Sequence, residues 1–141
     1  MKKIIVFLLS VIGISATSCI TAMYGTPEAE FELKGKVTDT LNNPIENIQI
    51  DIQLNDNYAD RTSSNAKGNY ELINHFSPHD NASITIKVED IDGEENGGEF
   101  ATQIISIPIK DSDYVKDKRK KDFWYNGKVS KEINFKLIKK Q

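Results

Sequence analysis

Apolar residues fall into two regimes along this chain. Ile4 to Ile14 (IIVFLLSVIGI) form a single apolar run of eleven residues. Beyond residue 30 they alternate singly with polar residues. Phe31, Leu33, Gly35 and Val37 make one such set, and Ile48, Ile50, Ile52 and Leu54 another. Tyr70 and Leu72 flank Glu71, and Ile84, Ile86 and Val88 follow. Ile105, Ile107 and Ile109, then Ile133, Phe135 and Leu137, complete the series. A period of two puts each apolar set on one face of a sheet and leaves the other face in water. Turn-forming clusters separate the sets: Leu41-Asn42-Asn43-Pro44, Asn65-Ala66-Lys67-Gly68, and Asp92-Gly93 through Gly98. No stretch carries a helical stripe, and no repeat is visible. The pattern predicts an all-β domain of about seven short antiparallel strands. A β-sandwich is the expected architecture and a small barrel the alternative.

The N-terminal apolar run is too short for a membrane span, which needs about twenty apolar residues. Lys2-Lys3 precede it, and the small residues Ser15-Ala16-Thr17-Ser18 follow, ending at Cys19, the only cysteine. A basic start, a short apolar core and a small-residue cleavage zone predict an export signal. Ala16-Thr17-Ser18-Cys19 resembles a lipobox, with Ala16 where Leu is usual. The resemblance implies thioether diacylation of Cys19, cleavage before it, and acylation of the new amine. The expected organisation is a signal over residues 1–18, a lipidated tether over 19–30 (rich in small residues, with Gly25 and Pro27) and a β-sandwich over 31–141. The expected location is the bacterial cell envelope, on its periplasmic or outer-surface face, with the membrane as partner. A single cysteine also leaves the domain without an intramolecular disulfide.

Cleavage would leave 123 residues, enough for one domain that buries about two-thirds of its surface. Losing Lys2 and Lys3 takes the basic residues from 18 to 16 against 21 acidic ones, a net charge of −5. That balance argues against a nucleic-acid partner.

Residues 31–73 resemble a carboxypeptidase-regulatory-like, or transthyretin-like, module. The residues that carry the resemblance are Gly35-Lys36-Val37-Thr38-Asp39, Asn42-Asn43-Pro44-Ile45, Asn47-Ile48-Gln49-Ile50, and Ser64 through Leu72. It implies an immunoglobulin-like or transthyretin-like sandwich. Asn42 and Asn47 stand where the pattern has Gly, and Asn is the next-best residue for left-handed backbone. These motifs serve folding and carry no chemistry of their own.

Four blocks spread over the mature chain resemble the lipoproteins of radical-SAM/lipoprotein systems. They are Met23-Tyr24-Gly25-Thr26-Pro27, Lys34 through Asp39, Asp90 through Phe100, and Trp124-Tyr125-Asn126-Gly127. The resemblance implies a radical SAM enzyme as partner, with this chain as substrate or associate. Such enzymes work in the cytoplasm, so any modification would precede export.

Candidate chemistry is sparse. Asp90, Asp92 and Asn96 gather oxygens in one loop, and Ca²⁺ takes about six to eight oxygen ligands. The same loop also reads as a plain solvated hairpin with Gly93, Gly97 and Gly98 at its bends. His75 and His79 lie four apart but flank Pro78, which favours exposed loop positions over a metal pair. Lys118-Arg119-Lys120-Lys121 reads as a solvated loop or as a contact for an anionic surface such as lipid headgroups. Phe123, Trp124 and Tyr125 read as a cap on the core, or as a patch for protein or glycan with Trp124 and Tyr125 at its centre. Asp39-Thr40-Leu41 resembles a short O-glycosylation tripeptide. No nucleophile elbow, phosphate loop or zinc-hydrolase motif is present. The expectation is a chain that is not an enzyme and needs no cofactor other than the candidate Ca²⁺. Its expected role is an envelope lipoprotein of a radical SAM system, with a generic surface-binding module as the alternative.

Overall fold

The computed structural model describes residues 25–55, 58–119 and 124–141. Cys19, the signal segment, Met23 and Tyr24, Lys120, Lys121 and Phe123 lie outside the described residues. Nine strands run in chain order: β1 Glu28–Thr38, β2 Ile48–Leu54, β3 Tyr58–Ser63, β4 Asn69–Phe76, β5 Ser83–Asp90, β6 Gln103–Pro108, β7 Tyr114–Val115, β8 Tyr125–Glu132 and β9 Phe135–Lys136. A 3₁₀ turn, Asp111–Asp113, precedes β7. One sheet has the order β4-β1-β8-β7, with β9 continuing along β1 beyond β8. The other has the order β3-β2-β5-β6. The expected all-β sandwich is the fold observed.

Alternation sets the layers. Ala29, Phe31, Leu33 and Val37 of β1 face inward, as do Ile48, Ile50, Ile52 and Leu54 of β2 and Ile84, Ile86 and Val88 of β5. They meet Leu72 and Phe76 of β4, Val129 of β8 and Leu137 in one apolar core. Phe31 and Phe76 pack edge to face with ring centroids 6.4 Å apart, and Phe76 continues onto Tyr114 at 6.3 Å. Apolar area removed from water is the main force holding such a disulfide-free domain together.

Three details differ from the sequence expectation. β1 begins at Glu28, ahead of Phe31. Its pairings with β8 and β9 are parallel, so the sandwich is not purely antiparallel. Strands β3 and β8 fall where the sequence shows no apolar alternation.

The strand directions define two ends. Glu28, Leu54, Phe76, Ser83 and Tyr125 lie at the end where the chain enters, here the entry end. Thr38, Ile48, Asn69, Asp90 and Lys136 lie at the opposite, far end.

Candidate functional site

At the far end, the 90–100 loop is built around its own carboxylates. Asp90 accepts hydrogen bonds from the backbone N–H of Asp92 (3.2 Å) and of Phe100 (3.0 Å), one on each oxygen. Asn96 donates from its side-chain amide to Asp92. Partial burial, and then the neighbouring Asp92 carboxylate, raise the Asp90 pKa above the usual carboxylate value. Asn96, Gly93, Gly97 and Gly98 take positive φ at the bends. The candidate Ca²⁺ residues Asp90, Asp92 and Asn96 are thus brought together, with Asp90 and Asp92 engaged in folding the loop. Among the described residues no group of three His, Cys, Asp or Glu side chains is placed to hold a metal ion.

An open groove of about 1010 Å³ covers the far half of the β4-β1-β8 sheet. Lys34, Lys36, Asn42, Asn69 and Asn134 line it, and Tyr70 and Phe135 lie beneath. Asn134 accepts from the Lys36 N–H at 2.9 Å. The Tyr70 hydroxyl donates to the Ile133 carbonyl at 2.6 Å. Burial raises the Tyr70 pKa well above that of a free phenol. Nothing in the sequence marks this groove, because its walls come from segments up to about a hundred residues apart.

The turn Asp39-Thr40-Leu41 also sits at the far end. Asp39 accepts from the backbone N–H groups of Leu41 (2.9 Å) and Asn43 (2.8 Å), which leaves Thr40 and Leu41 exposed. A bond from the Asn43 side-chain amide, followed by these backbone bonds, holds the Asp39 pKa below its usual value.

The entry end holds the remaining candidates. His75 pairs with Glu28, Nδ1 to Oε1 at 3.1 Å, and His75 and His79 border a shallow pocket with Thr26 and Asn55. Trp124 is 37% exposed and is not part of the apolar core of the described residues. Its indole lies against Gly25, where an added Cβ would meet ring atoms at 3.0 to 3.1 Å. The Trp124 carbonyl accepts from the Glu28 N–H at 2.9 Å. Tyr125 is half-buried beside Val115, Lys116 and Lys128. Lys128 bridges Glu30 (3.1 Å) and Glu32 (2.9 Å) on the outer face. Its ammonium and the Ser130 hydroxyl lower the Glu32 pKa. The pairing of Gly25 with Trp124 escapes sequence reading because nearly a hundred residues separate them.

No family model matches the chain, and no curated protein matches it. Among solved structures, a chlorocatechol 1,2-dioxygenase from Pseudomonas putida is similar at TM-score 0.54 and 11% identity, covering 92% of this chain and 77% of that one. A 3-chlorocatechol 1,2-dioxygenase from Rhodococcus opacus 1CP is similar at TM-score 0.48 and 10% identity, covering 85% and 69%. The likeness to the first is one of fold. It corrects the expectation of a chain that is not an enzyme, because a sandwich similar to this one carries an enzyme elsewhere.

Proposed function

We propose that this chain is an exported, lipid-anchored β-sandwich that serves a radical SAM enzyme system as substrate or partner. One spatial observation carries the reading. Two of the four sequence blocks behind it touch at the entry end, where Gly25 of the first lies against the Trp124 indole of the last. Residues far apart in sequence that build one place in the fold are suited to a shared docking or modification role.

The test is affinity capture of the full chain from its native host, with intact mass measured on the same sample. A retained radical SAM enzyme, or a mass exceeding that of sequence plus lipid, supports the reading. A mass fully explained by sequence and lipid, with no such enzyme retained, removes it. In parallel, Cys19→Ala is expected to move the protein out of the membrane fraction.

The far-end groove favours a second reading, a binding module for protein or glycan. Its amide and ammonium groups above Tyr70 and Phe135 suit a hydroxylated ligand. Binding of the full chain to a glycan array, lost on Asn69→Ala, would support it.

A further inference from the structure

We propose that the entry end of the sandwich rests directly on the anionic headgroups of the membrane and so points the groove end away from the bilayer. This inference rests on the lipid-anchor reading of Cys19.

Glu28 lies nine positions beyond Cys19, so a fully extended chain puts the anchor within about 30 Å of the start of β1. The end that carries Glu28 therefore stays close to the membrane. The parallel pairing of β1 with β8 brings the β7–β8 connection to this same end. That connection exposes both kinds of group that an interface takes up. Val115 is 69% exposed and Trp124 37% exposed, and both are apolar. Lys116, Lys118 and Arg119 are exposed and basic. Tryptophan favours the headgroup level, and clustered Lys and Arg favour anionic lipid.

Asp117 pairs with Arg119 at 3.2 Å, and Lys116 and Lys118 stand exposed on either side of Asp117. Glu30 and Glu32 on the adjoining face are held by Lys128. Gly127 fixes the geometry. At φ +111°, an added Cβ there would lie 2.7 Å from the Val115 carbonyl oxygen and 3.2 Å from the Lys116 nitrogen. The basic residues thus leave β7 beside the start of β8, where Trp124 stands.

The 90–100 loop at the far end is acidic. Asp90, Asp92, Glu94, Glu95 and Glu99 cluster there, with Lys140 on Glu99 at 2.5 Å and the Lys139 side chain against Gly98, two cations for five carboxylates. An anionic surface attracts the basic connection and repels the acidic loop, which biases the orientation of a tethered domain.

Trp124 is the only tryptophan and reports its own environment. The mature lipidated protein would be reconstituted into vesicles of phosphatidylethanolamine with phosphatidylglycerol, and into vesicles of phosphatidylcholine alone. Brominated lipids in each supply the quencher. Expected is at least a twofold stronger quenching, with a blue-shifted emission, in the anionic vesicles. Lys116→Glu with Lys118→Glu should remove that difference while the protein still floats with the vesicles. Wild-type protein at about 1 M salt, where the Debye length is about 3 Å, should behave like the variant and needs no mutation to fold. Equal quenching in both vesicle types, in a protein that floats, overturns the orientation and leaves the anchor standing. A protein that does not float overturns both.

Discussion

Ser64 is the buried polar side chain in the described core, 3% exposed. Its hydroxyl donates to the Ile45 carbonyl at 2.7 Å and accepts from the Ile48 N–H at 3.0 Å. It ties the end of β3 to the approach to β2. Asn65, its neighbour, does the local work, accepting from the N–H groups of Lys67 (3.0 Å) and Asn69 (3.1 Å). In sequence the two are alike, adjacent small polar residues next to a turn. Only the fold separates a residue that closes its own turn from one that reaches across to another segment. Ser64→Ala would leave a buried N–H and a buried C=O unpaired, a loss of about 1–3 kcal/mol. Urea unfolding should show a lower midpoint at constant slope, and an unchanged midpoint would refute this account.

At the scale of elements, β1 organises its sheet, pairing with β4, β8 and β9. The pairing changes character at Gly35. A Cβ there would lie 1.7 Å from the Ile133 carbonyl oxygen and 3.0 Å from the Tyr70 ring. The chain between β8 and β9 presses into the space a side chain would fill. Asn134 replaces a ladder acceptor with its side chain, so β9 is only two residues long although Ile133, Phe135 and Leu137 alternate. Gly35→Ala is expected to cost about 1–3 kcal/mol or more through overpacking. A thermal melt within a degree or so of wild type would show that the close approach relaxes freely. β1, β2 and β5 were legible in sequence because each buries a full alternating face. β3 was not, because YADRTS has no apolar alternation and forms an edge. β8 was not, because Val129 is its one large buried apolar residue.

For the whole molecule, acid stability follows from the carboxylates. Glu32, Asp39 and Asp113 have pKa values lowered in the fold, through bonds from Lys128, Asn43 and Lys131 respectively. A lowered folded-state pKa contributes stability above the unfolded value, and that contribution is lost as pH falls through the folded value. The loss therefore begins below the ordinary values of 4.5 for Glu32 and 3.8 for the two aspartates. Asp90 acts in the opposite sense. Its raised pKa makes the folded state hold the proton more tightly, so its contribution weakens as pH rises past 3.8. Three groups against one predict a urea midpoint that declines on acidification below about pH 4, shallowly because the groups are well solvated. A midpoint that rises across that range would contradict the balance.

Sequence alone determined the all-β class, the inward faces of β1, β2 and β5, and the left-handed turns at Asn42 and Asn47, which take φ of 65° and 60°. These are local matters, since alternation and turn chemistry act over a few residues. The tertiary structure decided the rest. It set β8 and β9 parallel to β1, laid Gly25 against Trp124, opened the groove over Tyr70, and placed the basic β7–β8 connection and the acidic 90–100 loop at opposite ends. Each depends on which strand edge receives a distant segment, and a local pattern of polar and apolar residues cannot specify that choice.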